Sequence, residues 1–426
     1  MEIIQPRTLK GFRDFLPADM RIRQFVFSVF RETFEKYGYE PLETPVLEYA
    51  DILMGKYGEE AEQLMYHFKD RGEREVAMKY DLTVPTCRVL AQYNEQLGLP
   101  FKRYQIQPVW RAENTQKGRF REFYQCDADT FGSSSQLVEA EYIQMGVEVL
   151  QKLGFKDLLA RINNRKIIDG ITQFAGASAE EFYTICIAVD KLDKIGMDGV
   201  KAEMERKGIG AEIIAKVEEV ISIPAGRTDA LAAMKEKLKD IAIAQEGIEE
   251  LERMFAFLEA ANVPEQFYQF DPTIIRGLSY YTGPVWEFVI VDGGVGSIGG
   301  CGRYDGLVKL YSGKDIPAAG GSFGIERLIE IIKDRNMVQI DTADNVLVTI
   351  FSPETVGASI KVAQKLRADG KQVMIYPDEN TRLDKQLKFA NKKNIKYVAI
   401  IGPEEMQNST YKMKDMQKGE ETTFTL

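Results

Sequence analysis

Histidine is almost absent from this chain: its 426 residues include one, His67. A multi-histidine metal centre is thereby excluded, and any imidazole-based triad would have to rest on His67 itself. Its neighbours Tyr66 and Phe68 point instead to an ordinary packing or surface role. Cysteine is scarce too. Cys87, Cys126, Cys186 and Cys301 stand apart without a C-x-x-C spacing, which argues against a zinc site or disulfide framework and for a reducing compartment. No apolar run is long enough to span a bilayer, and the start, Met1-Glu-Ile-Ile-Gln-Pro, lacks the core of a signal peptide, so a cytoplasmic location away from membranes is expected. A formal net charge of −10 weighs against indiscriminate nucleic-acid binding but leaves room for a local basic surface. The chemistry is left to arginines, carboxylates, hydroxyls or a substrate's own groups.

What is present is length and an ordinary globular composition, 44% hydrophobic and 28% charged, which favours two or three domains. Residues 20–36 carry Ile22, Val26, Val29, Phe30 and Thr33 at helical spacing, with Arg and Glu between them, and the helix should end near Tyr37-Gly38. Prolines make 39–48 extended. Residues 103–111 alternate as a strand, 123–130 should be its antiparallel return, and 137–153 a helix. From about Asn163 the texture turns helical and charge-laced, through Val200-Lys-Ala-Glu-Met-Glu-Arg and a run from Thr228 to Phe257, with a break at 221–226. The sheet is expected to resume at Phe270-Asp-Pro-Thr-Ile-Ile-Arg276 and to continue through 285–291, and a helix should follow the glycine-rich 320–324. A boundary is read near 335–344. Beyond it, strands at 346–351, 373–376 and 397–401 alternate with helices, one capped by Ser352 with Pro353 at its first position, giving a βαβαβ pattern and a small parallel sheet. A hairpin near Lys418-Gly-Glu closes the pattern.

Several constellations carry chemistry. Arg276-Gly-Leu-Ser-Tyr-Tyr-Thr-Gly and Gly299-Gly-Cys-Gly-Arg-Tyr-Asp-Gly306 set two arginines, three tyrosines and many glycines where a sheet should carry aliphatics. Such groups are costly to bury without partners, and they suit a phosphate or carboxylate beside a small polar side chain. Arg111-Ala-Glu113, a loop through Arg119, and Phe120-Arg-Glu-Phe123 concentrate cations at a strand–loop–strand turn. An arginine fork there can clamp phosphate, Phe123 can stack on a purine and Glu113 can accept from an exocyclic amine. A solvated charged hairpin has the same composition. Gly320-Gly-Ser-Phe-Gly-Ile-Glu-Arg327 is either an anion-binding strand-to-helix junction or a core strand with a surface arginine. Within Lys79-Tyr-Asp-Leu-Thr-Val-Pro85, Asp81 and Thr83 can accept from an ammonium group or merely satisfy a turn. Gly294-Val-Gly-Ser-Ile-Gly299 matches G-x-G-x-x-G, but no second parallel strand or ribose-binding acid follows, so close backbone approach between strands is the expected role.

Taken in order, these segments resemble the histidyl-tRNA synthetases. Tyr37 to Pro45 is similar to motif 1 of the class II aminoacyl-tRNA synthetases, the hairpin from Arg111 to Phe123 to motif 2, and Gly320 to Arg327 to motif 3. The Arg276 and Gly299 runs resemble the family's two histidine peptides. The resemblance covers essentially the whole chain. Ser279, where many relatives carry Asp, and Cys301, which interrupts a glycine run, depart from the pattern.

The resemblance implies an α+β class II catalytic domain, an antiparallel sheet flanked by helices, with a helical insertion and a C-terminal α/β anticodon-binding domain. Its segments would be 1–162 and 263–335 for the catalytic domain, 163–262 for the insertion and 343–426 for the last domain. It implies activation of histidine by ATP, with Mg2+ at the pyrophosphate end, transfer to tRNA(His), and a homodimer formed through motif 1. By the same analogy Arg111 and Arg276 hold the α-phosphate, Arg276 also facing the substrate carboxylate, and Arg327 the γ-phosphate end. Glu113 and Phe123 hold the adenine, and Arg119 belongs to the ATP site. Asp81, Thr83 and Gln125 would bind the α-ammonium, and Asp129 and Tyr281 would face the imidazole with Tyr304 close by. Lys385, Lys388 and Lys392, on one helix face, are either a solvated surface or contacts to tRNA phosphates. Three rivals remain: a regulatory paralogue that binds histidine without charging tRNA, a tRNA-sensing module, and a class II synthetase for another amino acid.

Overall fold

The computed structural model describes residues 4–56, 62–115, 118–275, 280–338 and 345–426. The chain divides into two compact units, Met1–Val338 and Gln339–Leu426, so the boundary read near 335–344 falls between them.

Among the described residues the first unit is built on an eight-stranded sheet. Its strands are β1 (Glu40–Pro41), β5 (Phe101–Trp110), β6 (Glu122–Phe131), β7 (Leu158–Asn164), β8 (Tyr268–Phe270), β9 (Pro284–Ile290), β10 (Gly299–Arg303) and β11 (Ala318–Gly324), while β2 (Leu47–Tyr49), β3 (His67–Lys69) and β4 (Glu75–Met78) form a small separate sheet. The spatial order is β1-β5-β6-β11-β10-β9-β7-β8, antiparallel except for the parallel pairs β1–β5 and β7–β8. The β5–β6 hairpin sets the register, from Phe101 opposite Phe131 to Trp110 opposite Glu122. Strand alternation then separates two faces. Tyr104, Ile106, Cys126 and Ala128 pack into the core, whereas Arg103, Gln105, Gln125, Asp127 and Asp129 share the opposite face.

Helices α1 (Pro17–Lys36) and α3 (Leu137–Lys152) cover the apolar face, and α2 (Thr83–Leu97) follows the Asp81 segment. Pro17 at the first position and Asp19 in the first turn favour the start of α1. It stops where Gly38 adopts φ of 78°. Its buried stripe is Val26, Val29, Phe30, Thr33 and Phe34; of the expected positions Ile22 is only partly buried, and Phe30 lies edge-on to Phe323 at 5.1 Å. Arg23, which the sequence sets among the polar positions, is 2% exposed and reaches the N-terminal turn of α10 (Ile325–Asp334).

Between β7 and β8 run α4 (Arg165–Ala175), α5 (Ala179–Val189), α6 (Leu192–Arg206), α7 (Ala211–Ile221), α8 (Thr228–Lys237) and α9 (Ala242–Ala260). The helical run from Thr228 to Phe257 is therefore two helices. The break is held by Gln245, whose amide donates to the Lys235 and Leu238 carbonyls at 3.1 and 3.0 Å. The apolar core is continuous from the sheet into these helices. The sheet does not resume through 271–275: β8 ends at Phe270, and Asp271 turns to accept from Thr273 and Arg161.

The second unit has a five-stranded sheet in the order β13-β12-β14-β15-β16, with β12 (Asn345–Val348), β13 (Gln372–Ile375) and β14 (Tyr397–Ile400) parallel and β15 (Thr410–Asp415) and β16 (Glu421–Thr425) added as an antiparallel hairpin. The first strand is shorter than read. Beyond it Ile350 is clamped by the side chain of Gln386, through its N–H at 2.9 Å and its carbonyl at 2.7 Å. Pro353 opens a 3-10 turn, Pro353–Thr355, ahead of α11 (Val356–Ala368). On α12 (Leu383–Lys392), Lys385, Lys388 and Lys392 are exposed and Gln386 and Ala390 are buried.

Candidate active site

The polar face of β6, β11 and β10 floors a cleft of about 960 Å³. Eleven of the twelve sequence-predicted site residues line it: Asp81, Thr83, Arg111, Glu113, Arg119, Phe123, Gln125, Asp129, Tyr281, Tyr304 and Arg327. The twelfth, Arg276, and the departure at Ser279 lie outside the described residues. His67 lies elsewhere, on β3, with Nε2 2.8 Å from Glu75 Oε2.

At one end the floor is buried and paired with itself. Asp129 Oδ2 lies 2.6 Å from Arg103 Nη2, and Oδ1 accepts from the Tyr304 hydroxyl at 2.5 Å. Burial pushes the Asp129 carboxyl above its usual range, opposed by the Arg103 guanidinium and the Tyr304 hydroxyl. The glycines have a steric reason. A Cβ at Gly320 would collide with the Asp129 carboxylate and the Ala128 carbonyl, and one at Gly302 would sit 2.6 Å from the Tyr281 ring. Gly320 and Gly302 thus let an acid and a phenol lie flat against the sheet.

Sequence reasoning missed several members of this region. Tyr280 lines the cleft, its ring 4.8 Å from Tyr281 and 5.9 Å from Tyr304. The Tyr-Tyr dipeptide was visible, but strand alternation would have sent the two rings to opposite faces, and the segment is not a strand. Lys79 is fully buried, its ammonium donating to the Thr44 carbonyl at 3.1 Å and Gln107 Oε1 at 2.8 Å, and burial lowers its pKa to about 8. Arg303, inside the glycine-rich peptide, turns away from the cleft. It donates to Glu139 at 2.6 Å and to the Ser133 and Ser135 carbonyls, anchoring the peptide on α3. Asp81 Oδ1 accepts from the Val84 N–H at 3.1 Å at the start of α2, so the carboxyl is oriented by the helix it precedes.

The other end is more open. Arg111 Nε donates to the Tyr80 carbonyl at 3.0 Å, and its guanidinium lies 4.2 Å from the Tyr80 ring and 5.2 Å from that of Phe123. Glu113 stands 4.0 Å from Arg111 and 3.7 Å from Arg119, too far for strong bonds. Arg327, in the first turn of α10, donates to the Ser297 carbonyl in the loop that carries the G-x-G-x-x-G match. That loop joins the antiparallel strands β9 and β10, which rules out a dinucleotide βαβ unit there. Next to Arg327, Glu326 takes two bonds from Arg23 at 2.8 and 2.9 Å and one from Arg13 at 2.6 Å. Against its burial, those guanidiniums hold the Glu326 carboxyl below its usual range.

The inserted helices also reach the cleft, a contribution sequence reasoning left unnamed. Asp190, Leu192, Asp193 and Lys194, at the α5–α6 junction, are in its wall, and Arg161 Nη1 holds Asp193 at 2.7 Å. Chemically, the cleft joins a desolvated polar seat for a small molecule to a cationic slot suited to phosphates.

The histidyl-tRNA synthetase profile matches residues 11–328 and the anticodon-binding-domain profile residues 345–426. The chain is 37% identical over 445 residues to histidine--tRNA ligase of Bacteroides fragilis, covering 99% of this chain and 97% of that protein. With its counterpart from Gloeobacter violaceus it shares 38% identity over 440 residues, covering 96% and 94%. Among solved structures, histidyl-tRNA synthetase from Nostoc sp. PCC 7120 superimposes with a TM-score of 0.87 at 31% identity, over 99% of this chain and 97% of that one. The fold, the order of the motifs along the chain and this near-full-length similarity agree: the chain belongs to the histidyl-tRNA synthetase family.

Proposed function

We propose that the chain activates histidine with ATP and passes the histidyl group to the 3′ end of tRNA(His), and that the cleft performs the first step. A carboxylate oxygen of histidine attacks the α-phosphorus in line, and pyrophosphate leaves. Such a displacement needs positioning and charge stabilisation more than covalent help from the protein. Arg111 holds the α-phosphate, and Arg276 bridges it to the substrate carboxylate. Arg327 takes the γ-phosphate end, Phe123 stacks on the adenine, Glu113 accepts from its amine, and Arg119 closes the slot. Asp81, Thr83 and Gln125 receive the α-ammonium. Asp129, held by Arg103, faces the imidazole with Tyr281 and Tyr304. A seat whose buried groups need both a donor and an acceptor rejects side chains lacking them.

The observation that carries this reading is the convergence of eleven residues, drawn from separate segments, on one cleft. Mg2+ would accompany ATP and would neutralise charge at the pyrophosphate end. Among the described residues no group of three or more acids, histidines or cysteines is arranged to cage a metal of its own. The domain division proposed is 1–162 with 263–335, 163–262, and 343–426, the last contacting the anticodon arm through Lys385, Lys388 and Lys392. A homodimer through the motif 1 segment is supported by the exposed Val46, Leu47 and Tyr49 beside it. A cytoplasmic location goes with this reading, and no helix among the described residues is long and apolar enough to cross a membrane.

The test is amino-acid-dependent ATP–pyrophosphate exchange with each standard amino acid in turn. Exchange with histidine alone is expected. Exchange with another amino acid would overturn the pocket assignment, and histidine binding without exchange would favour the regulatory paralogue.

A further inference from the structure

The acids of the cleft floor are not in the same condition. Asp129 has both oxygens engaged, by Arg103 and by Tyr304. Asp81 accepts from the Val84 N–H. Asp127 lies between Gln125 and Asp129 on the same face of β6, is 1% exposed, and neither of its oxygens has a hydrogen-bond partner. Across the strands it faces Gln105 and Ser322. Gln105 is fully occupied: its amide donates to Thr44 Oγ1 at 3.0 Å and Gln107 Oε1 at 2.8 Å, and its oxygen accepts from Thr86 at 3.0 Å. Ser322 Oγ accepts from Gln125 Nε2 at 2.9 Å and lies beside the Asp127 carboxyl without completing a bond to it. The other end of that carboxamide, Gln125 Oε1, is itself unpartnered. Ser322 therefore stands between a buried carboxyl and the carboxamide of a residue that lines the cleft.

A buried carboxylate without a donor is unfavourable unless a cation approaches it. Of the protein's own cations nearby, Arg103 gives its Nη2 to Asp129 and acts on Asp127 through space without a hydrogen bond, favouring its ionised form, while Lys79 donates to Thr44 and Gln107. The other charges acting on Asp127 are the carboxyls of Asp129 and Asp81, which oppose its ionisation.

We propose that Asp127 is a specificity-determining group of the amino-acid site: a carboxyl held in reserve for the substrate's α-ammonium, acting on it through Ser322 and Gln125. This rests on the assignment of Gln125, Asp81 and Thr83 as the ammonium seat. Asp127 is a positioning residue and touches no substrate atom. Burial raises its pKa to about 8, so at neutral pH, before an ammonium binds, it is mostly protonated. A cation at Gln125 favours the carboxylate, and the proton leaves to solvent as the ammonium binds. A ligand lacking the ammonium triggers no such release.

The experiment is calorimetric titration of the full chain at pH 7.5, in two buffers of different ionisation enthalpy, with histidine, histidinol and imidazole-propionate, on the unsubstituted protein and on Asp127→Asn. Net proton release is expected with histidine and histidinol, not with imidazole-propionate, and it should vanish in Asp127→Asn. In exchange assays the variant should raise the KM for histidine on the order of tenfold to a hundredfold, with a smaller change in kcat and none in the KM for ATP. Equal release with all three ligands would overturn the proposal without recourse to a variant, as would an unchanged histidine KM in a folded Asp127→Asn. Absence of histidine-dependent exchange in the unsubstituted protein would remove the functional reading and this inference together. Exchange with a variant KM unchanged would remove the inference alone.

Discussion

The two ends of the cleft are built on opposite terms. At one end Arg103 and Asp129 are buried and paired with each other, Arg103 0% exposed and Asp129 1%. At the other end Arg111 is 24% exposed and Arg119 42%, and their contacts to Glu113 are long. The difference suits the roles proposed for the two ends, the first for the amino acid and the second for the nucleotide. Recognition of a small side chain requires groups that go unsatisfied with the wrong ligand, hence a dry and pre-paired seat. Holding phosphates requires guanidinium forks with donors to spare, and these are weakly hydrated enough to give up their water to an incoming phosphate. One end should thus couple specificity to stability, and the other should separate activity from stability.

The largest effect is expected of Arg103→Met. It strands Asp129 without its cation, and a loss of about 3–5 kcal/mol of unfolding free energy is expected in urea titrations. Adding Asp129→Asn to the same chain should recover a large part of it. At the open end Arg111→Ala should lower kcat/KM for ATP in pyrophosphate exchange by about 10²–10³-fold, or roughly 3–4 kcal/mol of transition-state stabilisation. Its midpoint in denaturant should shift by no more than about 1 kcal/mol, and a larger shift would blur the contrast drawn here. Tyr304→Phe removes a hydrogen bond to a buried carboxylate, worth about 1.5–3 kcal/mol. It should act on the KM for histidine and leave that for ATP unchanged.

The smallest effect concerns the buried support behind Arg327. Arg23 and Arg13 depress the folded-state pKa of Glu326, so this carboxylate binds protons less readily in the folded than in the unfolded chain. Its contribution is present above the unfolded value and is lost as pH falls through the folded one. Glu326→Gln should therefore cost about 1–2 kcal/mol at pH 7. The gap between the two stability curves should narrow below about pH 4, the ordinary glutamate range.

Much of the site was legible because its residues are odd for their surroundings. Arg111, Phe123, Tyr281 and Tyr304 sit in segments where composition departs from a plain sheet or loop, and all four line the cleft. Arg103 and Lys79 were not legible. In an alternating strand or just past the end of one, a cation reads as solvent-exposed, and only the pairing of β5 with β6 puts Arg103 opposite Asp129, 26 residues away along the chain. Gln386 in the second unit was hidden in the same way: it looks like a surface position on α12 until its bonds to Ile350 are seen. The break at residues 238–241 escaped because charge-laced helical composition continues across it.

Local spacing and composition were enough to read from the sequence the order of the segments and most of the helical and strand periodicities. Tertiary structure alone decided which charges are buried and with whom, that the α5–α6 junction joins the cleft wall, and that Asp127 has no hydrogen-bond partner between two engaged neighbours. Those outcomes depend on strand register and on long-range pairing, in which a shift of one residue would send every side chain of β6 to the other face.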